Sequence, residues 1–156
     1  MTGSIDARLA ELGISIPDVP KPVAAYIPFV QSGNLIFISG QISRRADGTS
    51  FTGKLGDSVS VEDGYQAARV SGINIIAVAK AACDDDLDRV RRIIRLGGYV
   101  NSTPDFTDHP AVINGASELM AEVFGPEVSA HSRAAVGMSS LPLGVAVEID
   151  AIIEIA

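Results

Sequence analysis

The sequence predicts an α+β sandwich in which two long helices cover one face of a single mixed β-sheet. Three observations carry this expectation. The C-terminal stretch alternates with period two: Val145, Val147, Ile149, Ala151, Ile153 and Ile155 are apolar, with Glu148, Asp150 and Glu154 between them. Two other stretches, around residues 60–83 and 108–124, carry apolar residues at helical spacing behind helix-starting residues. The remaining apolar runs are short and bounded by Gly, Pro, Ser and Asn. The resulting order is strand, strand, helix, strand, helix, strand, strand.

From the N-terminus, residues 4–12 read as a short helix with Ser4 as N-cap and Gly13 past its end. Pro17, Pro20 and Pro22 follow as an extended link, so residues 1–22 form an N-terminal extension and 23–156 the main domain. Val23–Gln31 and Asn34–Ile42 are expected strands around Ser32-Gly33, and Arg44–Asp57 is a loop or irregular strand. Ser60 caps the first long helix, and Glu62 and Asp63 complement its dipole. Its apolar side is Tyr65, Ala68, Gly72, Ile76 and Ala79. Val90–Asn101 is the next strand, with Val90, Ile94, Leu96 and Val100 on one face and Arg91, Arg95 and Tyr99 on the other. Asp108 and Pro110 open the second long helix, which buries Ile113, Ala116, Met120, Val123 and Phe124 and ends at Gly125-Pro126.

The last two strands are expected to pair as a hairpin turning between Ser140 and Leu141, which sets Arg133 opposite Glu148 on one face. An arginine and a glutamate above Ala and Gly leave room for a small anion. The same two residues also read as a plain cross-strand ion pair on a solvated face. The sheet face bearing Arg91, Arg95, Arg133, Glu148 and Asp150 also carries small apolar residues, a composition suited to meeting neighbouring subunits.

Composition bounds the function. With 156 residues and 47% hydrophobic content the chain builds one core. No apolar run approaches a membrane span, and no signal peptide is evident, so a cytoplasmic protein without membrane contact is expected. The net charge of −7 argues against nucleic acid as a main partner. The single Cys83 excludes an internal disulfide and suits a reducing compartment, and beside Asp84-Asp85-Asp86 it reads as a structural thiol. His109 and His131 lack ligand spacing, so neither metal nor cofactor is expected.

One block of motifs is more specific. Ala25-Tyr26, Leu35-Ile-Phe-Ile-Ser-Gly-Gln41, Leu87-Asp-Arg-Val90, Phe106 and the helix with Asn114 and Phe124 precede Ser132-Arg-Ala-Ala-Val136 and Leu141-Pro-Leu-Gly-Val-Ala-Val-Glu-Ile-Asp-Ala151. In this order and spacing the chain, from about Pro22 on, resembles the YjgF/Rid family, whose members have also been called perchloric-acid-soluble proteins or L-PSP endoribonucleases. The resemblance implies a chorismate-mutase-like fold, a homotrimer with its sheets around a central barrel, and clefts between subunits. It implies hydrolysis of reactive 2-imino acids and their enamines to 2-keto acids and ammonia, with a small carboxylate as substrate.

Carried over by position, the resemblance makes Arg133 the ligand of the substrate carboxylate and Glu148 the residue that holds the hydrolytic water. Tyr26 and Asn114 become cleft residues, and Ser39 and Gly40 backbone contacts. Imine deaminases of the family usually carry Ser-Cys after the arginine, where this chain has Ala134-Ala135. The extension before Pro22 and the Asn101–Pro110 connection are longer than in compact members, which points to a distinct subgroup and substrate. Two other readings share these residues: a non-catalytic binding protein for a small carboxylate, and an endoribonuclease. The second would want a poised His pair and a basic track, and only Arg44-Arg45 and Arg89/Arg91/Arg92 are locally basic.

Overall fold

The computed structural model describes residues 3–19 and 25–156. The elements are α1 (Ser4–Glu11), β1 (Phe29–Ser32), β2 (Leu35–Ile42), α2 (Val61–Ala82), β3 (Val90–Asn101), α3 (His109–Ser129), β4 (Ser132–Met138) and β5 (Val147–Ile155). The five strands form one mixed sheet in the order β1-β2-β5-β3-β4. β1 and β2 are an antiparallel hairpin, β5 is antiparallel to both β2 and β3, and β4 is parallel to β3. The connections β2–α2–β3 and β3–α3–β4 are crossovers between parallel strands, and the single hand of such units puts both helices on one face. α2 and α3 do lie together there, α2 over β2 and β5 and α3 over β3 and β4.

Residue chemistry accounts for most element ends. Ser60 Oγ accepts a hydrogen bond from Asp63 N–H (3.1 Å), so α2 starts where the cap was expected. β3 keeps the expected limits, Val90–Asn101. Every odd residue of β5 from Val147 to Ile155 is buried, as the alternation requires. Gly125 (φ 80°) breaks the helical path of α3, yet Pro126 starts a further turn and the element runs on to Ser129. Among the described residues no helix is long and apolar enough to cross a membrane. Cys83 is fully buried, and burial pushes its thiol up.

Four further expectations are corrected. Ser4 is not the cap of α1. Its N–H and that of Ile5 donate to the Asp88 carboxylate (2.8 and 2.9 Å), a cap supplied from across the chain. These bonds hold the Asp88 carboxyl below its usual range. The strand expected over Val23–Gln31 is only Phe29–Ser32; Ala25–Pro28 is not strand, and Pro20, Pro22 and Val23 lie outside the described residues. In β3, Ile93 rather than Ile94 faces the core. The strand spends two residues against one of β5 between Val90 and Arg92, and again between Ile93 and Arg95, and each bulge resets the alternation.

The fourth correction concerns the hairpin. β4 and β5 do not pair, because β3 lies between them. The segment from Ser139 to Ala146 passes across the end of β3, where Asn101 N–H donates to Ala146 O (2.9 Å) and Asn101 Nδ2 to Val145 O (3.1 Å). Period-two alternation gives the face of each residue but not the neighbour of each strand. Arg133 therefore pairs with Leu96, and Glu148 with Tyr99.

Small residues let α2 and α3 approach closely over the sheet. A Cβ on Gly115 would lie 2.0 Å from Tyr65 O and 3.2 Å from Arg69 N, both backbone atoms of α2 that cannot rotate aside. Gly115→Ala is therefore expected to destabilise by more than the roughly 1–3 kcal/mol usual for overpacking. Thermal unfolding checks it: a variant melting within a degree or two of the parent would mean that the helices can separate without penalty.

Candidate functional site

The candidate site residues sort into two groups on opposite sides of the sheet. Paired residues on adjacent strands share a face, so Arg133 lies with Leu96 on the side covered by the helices. There, on the edge strand, Arg133 Nη1 donates to Asn114 Oδ1 (2.8 Å) and to Ser117 Oγ (3.0 Å) of α3. Asn114 and Ser117 are three residues apart and so present one helix face to the guanidinium. Ser117 Oγ also lies 2.9 Å from His131 Nε2, whose Nδ1 is 2.5 Å from Ser129 O. A carbonyl can only accept, so Nδ1–H donates to it, which leaves the Ser117 hydroxyl free to donate to Nε2. Ser117 and His131 thus position Arg133, and the i, i+3 spacing from Asn114 was the signal in the sequence that could have found Ser117.

What Arg133 lacks is as informative. Among the described residues it forms no ion pair, and its two partners are neutral oxygens. Its other N–H donors remain for an external acceptor of planar, two-oxygen shape.

Glu148 belongs to the opposite face, in a row with Ile42, Tyr99 and Val136. Its neighbour Asp150 accepts from Tyr99 Oη (2.9 Å) and from Arg95 Nη1 (3.4 Å). Among the described residues no side chain donates a hydrogen bond to the Glu148 carboxylate, and a Cβ on Gly40 would lie 2.4 Å from its Oε1. Only glycine lets that carboxylate lie on the β2 backbone. Burial first, and then the charge of Asp150, raise the Glu148 carboxyl above its ordinary value. Tyr99 is raised as well, chiefly by burial.

Ser39 and Gly40 form a bulge in β2, which spends three steps from Ile38 to Gln41 against two of β5. Ser39 has little left to offer a ligand: its N–H donates to Pro28 O (2.9 Å) and its Oγ to Ile27 O (2.7 Å). It pins the segment that carries Tyr26, which is 55% exposed, beside the strand end where Glu148 sits. The structure thus brings Ser39, Gly40 and Glu148 together and Arg133 with Asn114, and within one chain it keeps the two groups apart. The open face also exposes Val30, Phe37 and Val136 between its polar groups. Among the described residues no three of His, Cys, Asp and Glu are grouped as metal ligands.

The state of Glu148 gives a signed prediction. A carboxyl raised on folding favours the folded state while protonated, and that contribution is lost as pH rises through the folded-state value. Glu148→Gln is therefore expected to raise the melting temperature at neutral pH, with the gain disappearing below the normal carboxylate range, about pH 4. A stabilising ion pair would give a loss at neutral pH instead.

Comparisons with known proteins agree with the architecture. A family model described as "YjgF/chorismate_mutase-like, putative endoribonuclease" matches residues 6–154. Protein TCP17 of Trypanosoma cruzi is 43% identical over 154 residues, 99% of this chain and 96% of that protein. The crystal structure of Atu1372 from Agrobacterium tumefaciens, a protein of unknown function, superposes with a TM-score of 0.89 at 46% identity, covering 97% of this chain and 94% of that one. A protein of Dermatophagoides farinae named 2-iminobutanoate/2-iminopropanoate deaminase is 30% identical over 143 residues, 91% of this chain and 94% of that protein.

Proposed function

The chain belongs to the YjgF/chorismate-mutase-like family, and from that premise we propose that it hydrolyses 2-imino acids to 2-keto acids and ammonia in clefts between copies of itself. The observation that carries this reading is the division of the site. An unpaired arginine stands on one face of the sheet and a raised, unbonded carboxyl on the other. Neither alone can bind and hydrolyse an imine. A second copy whose open face covers the edge strand β4 would join them, and the exposed Val30, Phe37 and Val136 give that open face something to bury. We assign the assembly as a homotrimer, the arrangement that the family resemblance implies.

The chemistry asks little of the protein beyond position. The substrate carboxylate sits on the free donors of Arg133, which fixes the C=N carbon. Glu148 of the adjoining copy holds a water and takes its proton as the oxygen attacks that carbon. With the imine nitrogen protonated, the attack gives a neutral carbinolamine. Glu148 returns its proton to that nitrogen, and the C–N bond breaks with its electron pair leaving as ammonia. The hydroxyl proton passes to the Glu148 carboxylate as the ketone forms, to be released to the departing ammonia. A carboxyl raised toward neutrality is better suited to this two-way transfer than a fully solvated one. The alanines after Arg133 supply no thiol, and none is needed in this scheme.

Variants test the assignment. Arg133→Ala is expected to abolish turnover of an imine generated in situ, and Arg133→Lys to impair it because one ammonium cannot replace a planar fork. Glu148→Gln should retain keto-acid binding while hydrolysis falls about 10²–10⁴-fold. Full activity in folded Arg133→Ala would sink the site, and keto-acid binding without any turnover in the parent would leave a binding protein.

Assembly is tested separately. Light scattering is expected to give a trimer at micromolar concentration; a stable monomer would remove the cleft. If the two groups come from different chains, mixing the inactive Arg133→Ala and Glu148→Gln variants in equal amounts through unfolding and refolding should restore about a quarter of parental activity. A site contained in one chain would stay inactive.

A further inference from the structure

Arg133 stands near the start of the edge strand β4, which runs on toward a second feature at its far end. Along the strand, Arg133, Ala135 and Gly137 share the side that faces the helix, and Gly137 lies about 13 Å beyond Arg133. At that far end a concavity of ≈ 460 Å³ opens, lined by Lys54, Ser102, Thr103, Pro104, Phe106, His109, Gly137, Met138 and Ser139. Most of these residues come from the Asn101–Pro110 connection. The absence of a side chain at position 137 makes the space: a Cβ there would lie 2.5 Å from His109 Nε2 and 2.6 Å from Ser102 Oγ. His109 is held at the rim by Ser102 Oγ (3.3 Å) and by edge-on contact with the Phe106 ring, centroids 5.2 Å apart.

The charge in this pocket is Lys54. Its ammonium donates to Asn101 Oδ1 (2.7 Å) and to Ser139 O, both neutral acceptors, and among the described residues it has no carboxylate partner. An ammonium has three donors, so one is left for a ligand. Lys54 is half-buried, where an uncompensated charge costs more than on the open surface. Asp57, Asp105 and Asp108 are close in sequence, but all are exposed and none lines the pocket.

We propose that this pocket is a second anion site of the same cleft, in which Lys54 receives a remote carboxylate of a substrate whose 2-imino acid end is held by Arg133. The inference rests on the reading of Arg133 given above and adds the substrate class: dicarboxylic imino acids with the two carboxylates several carbons apart. Phe106 and Met138 cover the methylenes between them. A simple imino acid on Arg133 would leave Lys54 without an anion.

The test compares keto-acid products of equal length with and without the second carboxylate. Calorimetry on the intact assembly would measure 2-oxohexanoate against 2-oxoadipate and 2-oxooctanoate against 2-oxosuberate. In at least one pair the diacid is expected to bind tenfold or more tightly. Lys54→Gln, which keeps donors for Asn101 and Ser139 but no charge, should bring that ratio to within about twofold. Lys54→Arg should preserve it, which a merely structural strut would not require. Equal affinities within both pairs in the parent protein overturn the inference alone, whether or not the variants fold, and so does an unchanged ratio in Lys54→Gln. Failure of all four acids to bind at millimolar concentration overturns it together with the imine-hydrolase reading.

Discussion

The structure depends on the position of β5, the last strand of the chain and the middle one of the sheet. Its odd residues supply the floor on which α2 rests, and its even residues supply the polar centre of the opposite face. Both β2 and β3 need it as a partner. The chain end is tied down accordingly: Ile155 N–H donates to Asn34 O (2.8 Å), Ala156 N–H to Arg89 O (2.8 Å), and the Arg89 guanidinium back to Ala156 O. Because side chains alternate across a strand, one placement decides that Glu148 looks away from the helices while Arg133, two strands over, looks toward them. The separation of the chemical groups is thus a consequence of the sheet order and not of loop conformation.

The same order leaves β4 at an edge, parallel to its one neighbour and short of backbone partners on its outer side. Exposed edges invite pairing and are normally covered, charged or bent away. Here the edge carries Arg133, with helix α3 behind it and the open-face residue Val136 in front. A second copy that covers this edge would protect the strand and bring the two groups of the proposed site together in the same step. That economy favours a site between copies over one formed by movement within a copy, since no movement short of refolding brings a side chain through a sheet.

Much of the architecture was legible because local physics sets it. The cap at Ser60, the limits of β3 and the buried face of β5 follow from side chains within a turn or two of each position. What was not legible is nonlocal. The carboxylate that caps α1 belongs to Asp88, on the turn before β3, and no spacing rule reaches that far. The β3 bulges shift the core residue from Ile94 to Ile93 without a glycine to mark them. The hairpin expectation failed because alternation is indifferent to which strand lies next door. It placed Arg133 and Glu148 side by side for a reason the fold does not use, while the family resemblance selected the same two residues by position. For the proposed site, the sequence nominates Arg133 and Glu148; the faces they occupy, and the supports Ser117 and His131, required the sheet order.

Charge accounting sets two cations apart. The chain carries 19 acidic and 12 basic side chains, so a cation seldom lacks an acid to meet. Arg44, Arg45, Arg91 and Arg92 are exposed and hydrated and need none. The half-buried cations behave differently: Arg69, Lys80, Arg89 and Arg95 each pair with a carboxylate, to Glu122, Asp6, Asp84 and Asp150. Arg133 and Lys54 are the half-buried cations that the described residues leave on neutral oxygens, one on β4 and the other beside its end at Ser139. In an acid-rich chain, packing alone would more easily supply a glutamate at each place than a serine, an asparagine or a carbonyl. Neutral acceptors orient a cation without neutralising it, which is the condition for an anion from outside to bind there with a net gain.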